Sequence, residues 1–166
     1  MTIATIHPSV KEIWSWLEDV PDPEIPVASV VELGIVRDVS LDDDAVVVTV
    51  TPTYSGCPAT AVIAIEIENS LRRHGVDNVR IETKLSPAWT TDWITQAARE
   101  KLSAYGIAPP VKGAICVGAL KVSAVIKCPR CESPNTECIS QFGSTPCKAH
   151  YRCKDCLEPF DYFKSF

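Results

Sequence analysis

The pattern of apolar and polar positions predicts helices at three places in the chain. Near the N-terminus, apolar residues recur at i, i+3, i+4 and i+7, which is the spacing of one helix face and predicts a helix over 8–18. Similar patterns predict a helix from Pro58 to about His74, ended by Gly75, and another over 90–104, capped near Gly106. The supporting apolar positions are Val10, Ile13, Trp14, Leu17, Ala61, Ile65, Leu71, Trp93, Ile94, Ala97 and Leu102.

Three other segments have the composition of strands. A strand-like stretch over 30–41 and a run rich in β-branched residues over 45–51 flank Asp42-Asp-Asp44, so we expect a hairpin around an acidic turn. Residues 79–85 alternate between apolar and charged side chains, as in a half-buried strand. The order α-β-β-α-β-α predicts an α+β fold, with a small mixed sheet covered by helices.

Two Cys-x-x-Cys pairs dominate the C-terminal part of the chain. Each pair offers two thiolates from one turn, and a hairpin that joins the pairs makes a tetrahedral sulfur site suited to structural zinc. An iron centre is an alternative, because rubredoxin-like iron sites and zinc sites share ligands. A disulfide-stapled tail is disfavoured, since no export signal is evident. The predicted ligands are Cys128, Cys131, Cys153 and Cys156. Cys138 and Cys147 are spare thiols, for which an idle or buried role is favoured and a role as supporting or alternative ligands is the other interpretation.

The overall composition predicts one ordinary domain with a small appendage. The chain has 166 residues, of which 46% are hydrophobic and 22% charged. Pro109, Pro110 and Gly113 mark a linker, so we predict a body over 1–112 and a Cys-rich zinc ribbon over 113–166. We find neither an apolar run long enough to span a membrane nor a signal-peptide pattern, and therefore expect a cytoplasmic protein without a membrane partner.

Charge argues against a nucleic-acid partner. The net charge is −5, and residues 121–166 hold seven Lys or Arg and five Asp or Glu, against nine and 16 in the rest of the chain. Neither part has the dense basic stripe that binding to a phosphate backbone needs. We therefore expect the tail aromatics to form ribbon core or a docking surface. They are Phe160, Tyr162, Phe163 and Phe166.

Cys57 lies between Gly56 and Pro58, at the predicted junction of a strand, a loop and a helix. We expect Gly56 to free the backbone there, and the helix N-terminus to favour a thiolate, the form that binds metals or attacks electrophiles. A cysteine that packs as a small apolar side chain is the alternative. A nucleophilic enzyme would also need a base, but His74 is at the other end of the helix, about 25 Å away at the helical rise.

Motifs along nearly the whole chain resemble known families. The loop before the first strand and the Cys57 loop are similar to the small domain of iron–sulfur assembly factors of the SufT type. Residues 86–93 and the cysteine-rich tail resemble the PaaD family of phenylacetate-degradation proteins, which are encoded with the multicomponent phenylacetyl-CoA epoxidase. The motifs are Asp22-Pro-Glu-Ile-Pro26, Val31-Glu-Leu-Gly-Ile-Val36, Thr51-Pro-Thr-Tyr-Ser-Gly-Cys-Pro58, Ser86-Pro-Ala-Trp89-Thr-Thr-Asp-Trp93, Phe142-Gly-Ser-Thr-Pro-Cys-Lys148, Tyr151-Arg-Cys153 and Glu158-Pro-Phe-Asp-Tyr-Phe163.

This resemblance implies a non-catalytic accessory protein whose body, 1–112, is a SufT-like domain that helps iron–sulfur targets to mature. The family's loop cysteine maps onto Cys57, the candidate ligand of a transient iron–sulfur cluster or of iron, and its acidic-proline loop maps onto Asp22 and Glu24. Since such clusters take four protein ligands, one thiolate would bind weakly, and a homodimer that shares the site is compatible with this.

The resemblance also implies the partners. They are the epoxidase reductase, which carries an iron–sulfur cluster, the oxygenase with its dinuclear iron centre, or general iron–sulfur assembly proteins. The alternative is a structural or docking subunit of the epoxidase complex without a cargo role. A subunit would stay stoichiometric through purification, whereas a maturation factor would dissociate.

Overall fold

The computed structural model describes residues 8–111 and 125–166. Its contacts divide the chain into two compact units, Met1–Ala88 (the first unit) and Trp89–Phe166 (the second unit). The predicted boundary at 112/113 differs from this division, and the predicted linker glycine, Gly113, lies outside the described residues.

The first unit is built on a three-stranded mixed sheet of order β1-β2-β3. Strands β1 and β2 form the antiparallel hairpin predicted around the acidic turn, while β2 and β3 are parallel and joined through α2. This confirms the predicted small mixed sheet with helices. The elements are α1 (Val10–Leu17), β1 (Val36–Asp42), β2 (Ala45–Val50), α2 (Ala59–Arg73) and β3 (Val79–Thr83).

Local sequence accounts for the limits of both helices in the first unit. At α1, the Ser9 side chain accepts from the N–H of Glu12 and the Glu12 carboxylate accepts from the N–H of Ser9, a capping box that satisfies free donors at the helix start. Helix α2 ends just before Gly75, whose φ of 84° is the left-handed conformation expected of a glycine after a helix. The predicted end of this helix is therefore confirmed.

The face that α2 buries differs from the prediction. Among the positions predicted to face the core, Leu71 is buried, but Ala61 and Ile65 are exposed. The apolar residues of this helix occupy nearly every position from 59 to 67, so periodicity alone could not choose the face. The buried positions are Ala59, Ile63, Ile67, Ser70 and Leu71.

The second unit contains a four-stranded sheet of order β4-β7-β6-β5. Strands β5, β6 and β7 are antiparallel neighbours and form the expected ribbon, whereas β4 adds to β7 in parallel. The helix predicted over 90–104 is broken into a 3₁₀ turn (Thr91–Trp93) and an α-helix. The elements are α3 (Gln96–Tyr105), β4 (Ile107–Ala108), β5 (Thr136–Ser140), β6 (Lys148–Cys153) and β7 (Pro159–Phe163).

Side-chain capping explains the break before α3. Ile94 is extended, and the Thr95 hydroxyl accepts from the N–H of Ala98 at 3.2 Å, so a new helix starts there. The helix ends at Gly106, where φ is 94°, as predicted from the sequence.

Residues 89–111 belong to the same unit as the ribbon because they form hydrogen bonds and aromatic contacts with it. The Thr90 hydroxyl donates to the backbone oxygen of Phe166 at 3.1 Å, and the Trp89 ring packs against Phe163 and Phe166. Buried Arg99 donates to the carbonyls of Pro110 and Thr91, both at 2.6 Å. The prolines at 109 and 110 therefore lie within the second unit.

No helix in the described ranges is both long enough and apolar enough to cross a lipid bilayer.

We expect the Trp16–His74 contact to stabilise the first unit. The two rings stack with centroids 4.4 Å apart, and His74 Nδ1 donates to the carbonyl of Ser70 at 2.8 Å. His74→Ala should lower the free energy of unfolding by about 1 kcal/mol, as such ring pairs usually do. His74→Tyr keeps a ring that can stack on Trp16 and should therefore lose less of the free energy of unfolding. Equal losses of unfolding free energy for both variants in denaturant titrations would contradict this.

Candidate metal centre and cysteine loop

The four predicted metal ligands converge at one point of the second unit. The sulfur atoms of Cys128, Cys131, Cys153 and Cys156 all lie within 4.8 Å of one another. The first knuckle (128–131) and the second knuckle (153–156) each supply two of them. Across the knuckles, the sulfurs of Cys128 and Cys156 are 3.7 Å apart, and those of Cys131 and Cys153 are 3.6 Å apart.

Both knuckles have the same backbone design. The N–H of Cys128 donates to the carbonyl of Ser133 at 3.0 Å, and the N–H of Cys153 donates to the carbonyl of Glu158 at 3.0 Å. After each knuckle, the residue that follows the second cysteine has a left-handed backbone conformation, with φ of 59° at Glu132 and 64° at Leu157. This repeated turn brings the two sulfurs of each pair to the same side of the loop.

Polar side chains link one knuckle to the other. Arg130 forms an ion pair with Glu158 at 2.8 Å. The Asp155 carboxylate accepts from the Ser133 hydroxyl and from Asn135 Nδ2, the latter at 2.7 Å, and these bonds hold the pKa of Asp155 below its usual value. Such contacts orient metal ligands, and cysteine spacing alone did not identify them.

The electrostatics of the cluster favour a cation. Backbone N–H groups of Cys156 and then Asp155 lower the pKa of Cys153 to about 7. At Cys131 a backbone hydrogen bond with Ser133 also lowers the pKa, but contacts with the other thiols, Cys156 first, outweigh it and raise the pKa to about 12. Thiols this close resist joint ionisation, so a positive ion between them is needed to hold all four as thiolates.

The sulfur spacing fits a single tetrahedral ion. Four sulfurs at about 2.3 Å from one zinc ion would stand about 3.8 Å apart. The distances of 3.6 and 3.7 Å are close to that edge length. In a four-iron cluster each cysteine binds a different iron atom, which spreads the sulfurs further apart. The four-cysteine cluster is therefore a metal-binding site whose sulfur spacing fits a single ion.

The two other ribbon cysteines in the described part of the chain lie outside this cluster. Cys147 is buried, with its sulfur 3.0 Å from the Thr145 hydroxyl. Cys138 is exposed on β5, and its thiol donates to the carbonyl of Ser140 at 3.4 Å. Neither belongs to the group of close ligand atoms among the described residues.

Cys57 in the first unit lies in a tight turn directly before α2 and is half-buried. Its N–H donates to the carbonyl of Tyr54 at 3.1 Å, and its carbonyl accepts from the Thr60 hydroxyl at 2.9 Å. Pro58 occupies the N-cap position of the helix, so the cysteine is just outside the first turn. This placement leaves Cys57 partly accessible to solvent.

The role expected of Gly56 in freeing the backbone was wrong. Left-handed φ values occur at Gly34, Gly75 and Gly106, but Gly56 does not have one. A Cβ added at Gly56 would meet only a Tyr54 ring carbon, at 4.0 Å. The fold therefore does not require glycine at this position. Because glycine has no side chain, the space next to Cys57 stays open.

The acidic-proline loop uses its aspartate to close a turn. Asp22 is 5% exposed, and its Oδ1 accepts from the N–H groups of Glu24 and Ile25, both at 2.8 Å. Glu24 is half-buried. Within 8–111 and 125–166, Cys57 and these carboxylates do not make a group of three or more ligand atoms that all lie within 4.8 Å. Iron binding by the three residues stays a prediction.

Two family models match separate parts of the chain. A family model described as "PaaD zinc beta ribbon domain" matches residues 114–164, and one described as "Iron-sulfur cluster assembly protein" matches residues 11–83. The chain is 50% identical over 163 residues to an Escherichia coli K12 protein described as a candidate component of 1,2-phenylacetyl-CoA epoxidase, covering 98% of this chain and 97% of that protein. The chain belongs to the PaaD family.

This PaaD-family chain has further relatives that match about half of its length. A Bacillus subtilis protein described as an Fe-S protein maturation auxiliary factor is 34% identical over 91 residues, covering 54% of this chain and 88% of that protein. A Bacillus anthracis crystal structure, described as a domain of unknown function DUF59, matches with a TM-score of 0.52 and 28% identity, covering 56% of this chain and 90% of that one.

We predict opposite effects of two substitutions at Leu157. Leu157 is 70% exposed, and its backbone has a left-handed φ of 64°. Leu157→Gly therefore gives up little burial and relieves backbone strain. Leu157→Val should cost about 1–2 kcal/mol, because a β-branched residue resists positive φ. The measurement is the temperature at which the zinc-loaded chain releases metal to a chromogenic chelator. If Gly lowered that temperature as much as Val does, the strain argument would be wrong.

We also predict that Asp155→Ala weakens zinc binding about 10-fold or more, because its bonds to Ser133 and Asn135, just after the first knuckle, are lost. Competition with a chelator of known affinity measures this. Glu100→Ala, an exposed acidic position on α3, is the matched control and should leave the zinc affinity unchanged. If Asp155→Ala binds zinc as tightly as the control variant, Asp155 does not help to position the metal ligands.

Proposed function

We propose that this protein is an accessory factor for maturing the iron–sulfur or iron centre of the multicomponent phenylacetyl-CoA epoxidase. It holds a permanent zinc ion in the ribbon and takes iron or an iron–sulfur cluster transiently at Cys57. The observation that carries the proposal is the position of Cys57, half-buried in a turn before α2 and without a complete ligand set of its own among the described residues. The maturation factors related to the first unit support this assignment.

An incomplete ligand set suits a protein that must release its cargo. A cluster takes four protein ligands, and Cys57 supplies one thiolate. Asp22 and Glu24 are the candidate carboxylates, although Asp22 already uses Oδ1 to hold its own loop. The remaining ligands would come from the receiving protein or from a second copy in a homodimer. Binding would then end when the receiving protein offers a full set.

We assign zinc to the four ribbon cysteines. The family description of a zinc ribbon supports this choice over iron, which accepts the same ligands. The sulfur spacing supports one tetrahedral ion over a cluster. The bound ion would supply positive charge that holds four thiolates together. Because two of the ligands are part of a buried cluster of the ribbon, zinc binding would contribute much of the folding free energy of the ribbon. That cluster consists of Ala108, Ile126, Cys128, Ala149, Cys153, Phe160 and Tyr162.

We infer that the chain is not itself an enzyme. A cysteine nucleophile needs a neighbouring base, and the candidate His74 lies at the other end of α2, stacked on Trp16. The expected partners are the iron–sulfur reductase and the oxygenase of the epoxidase, or general iron–sulfur assembly proteins. The reductase is the preferred client, since it needs the cluster that this site would carry.

A second candidate function is a structural or docking subunit of the epoxidase without cargo. The description of the Escherichia coli relative as part of the epoxidase favours it. The two functions separate on purification, because a subunit remains stoichiometric with the oxygenase through size exclusion and a maturation factor dissociates.

Substitution of Cys57 tests the proposal. Cys57→Ser removes the thiolate and should lower the iron and sulfide content of the co-expressed reductase several-fold, while the zinc content of the variant stays unchanged. Cys138→Ser, another accessible cysteine, is the matched control and should leave the reductase fully loaded. A reductase that has normal cluster content when it is co-expressed with Cys57→Ser would refute the cargo role. The docking-subunit function would then be the remaining candidate.

A further inference from the structure

Helix α2 has a second apolar face that the first unit does not bury. Pro58, Ala61, Val62 and Ile65 follow one another at i, i+3, i+4 and i+7 and are all exposed, with Val62 at 44% and Ile65 at 56%. We call these four residues the apolar stripe. At the helical rise it is about 10 Å long. The core-facing positions, such as Ile63 and Ile67, lie on the opposite side of the helix.

The apolar stripe begins at the cysteine that the proposed function uses. Cys57 directly precedes Pro58, the first residue of the stripe, and Gly56 leaves open space on the other side of the cysteine. Glycine at a position where the fold would accept a side chain is typical of a close approach from outside. A protein seated on the stripe would therefore also reach Cys57.

Charge indicates the chemistry of the partner. At 100° per residue, Glu66 and Glu68 fall on either side of the stripe, and Glu68 pairs with Arg72 at 3.4 Å. The first unit is strongly acidic, since residues 1–88 carry six Lys or Arg and 14 Asp or Glu. An apolar surface flanked by lysines or arginines is complementary to this face.

A second copy of the chain fits this face less well. Two copies that met along the apolar stripe would bring two strongly acidic units together, and like charges across an interface disfavour the complex. The charge of the first unit therefore favours a different protein over a homodimer at this surface.

We propose that the apolar stripe is the docking surface for the protein that exchanges iron or a cluster with Cys57, and that this partner presents apolar side chains flanked by Lys or Arg. The inference rests on the proposed function for the identity of the partner, for which the epoxidase reductase is the probe. Docking holds the partner beside Cys57 while its own ligands complete the coordination of the cargo. The acidic surroundings of the stripe speed the encounter at low salt.

The test measures binding of the purified reductase to the full-length chain by calorimetry. Ile65→Glu places a charge in the stripe and should weaken binding about tenfold or more. Leu85→Glu changes another exposed apolar residue of the first unit, 57% exposed, and should bind like the wild type. A double variant, Glu66→Lys with Glu68→Lys, should weaken binding and reduce its dependence on salt. Unchanged thermal unfolding and zinc content show that each variant is folded.

A second substitution tests the space beside the cysteine. Gly56→Leu should fold normally, because no strained backbone or close contact opposes a side chain there. It should weaken binding of the reductase if the partner approaches Cys57 closely. Wild-type affinity in both Gly56→Leu and Ile65→Glu would overturn the docking surface.

The other outcomes are also decisive. Cys57→Ser should keep the wild-type affinity for the reductase but lose cluster transfer. If Cys57→Ser still loads the reductase while Ile65→Glu weakens binding, the proposed function is wrong and the docking surface stands. If Ile65→Glu loads the reductase normally, the docking surface is wrong and the proposed function stands. A reductase that does not bind the wild-type chain overturns the inference. A wild-type dimer that Ile65→Glu converts to monomer would assign the face to a second copy, against our proposal.

Discussion

Four thiol groups whose sulfurs all lie within 4.8 Å cannot all ionise unless a cation lies between them. The second unit depends on this constraint. Its two knuckles come from segments more than 20 residues apart, and two of the four ligands, Cys128 and Cys153, belong to one of its buried clusters. A bound ion turns mutual repulsion of thiolates into attraction to one centre. The Arg130–Glu158 pair and the bonds of Asp155 then fix the orientation of the loops.

The cysteine of the first unit has the opposite character. Cys57 is partly accessible, held by backbone bonds to Tyr54 and Thr60, and belongs to no close set of three ligands among the described residues. A complete sulfur tetrahedron retains its ion, whereas a single cysteine ligand gives up cargo when better ligands arrive. Under the proposed function, the same chain would combine a permanent site that stabilises structure with an incomplete site suited to exchange.

The chemistry-bearing motifs were more predictable from sequence than the surfaces around them. Spacing alone predicted the four-cysteine cluster, because two Cys-x-x-Cys turns have few other ways to satisfy their sulfurs. Gly75 and Gly106 marked helix ends because their conformation is local. The core face of α2 was not predictable, since apolar residues occupy both sides of that helix and tertiary packing decides between Ile63 and Ile65.

Long-range contacts explain the other differences. The hydrogen bond of Thr90 to Phe166 joins residues 76 positions apart, and no local pattern indicates that 89–111 pack with the ribbon. Asp22 stays a predicted iron ligand, and its Oδ1 also closes a turn through Glu24 and Ile25, a role that many aspartates before a bend share. The exposed face of α2 emerges only once the buried face is known.

The contrast between a retained ion and an exchangeable cargo can be measured on one sample. The full-length chain is loaded anaerobically with zinc, iron and sulfide, exposed to excess chelator, and desalted at intervals for analysis of all three elements. About one zinc per chain should persist while iron and sulfide leave rapidly. Zinc lost as quickly as iron, or iron and sulfide held as firmly as zinc, would contradict the assignment of a retained and an exchangeable site.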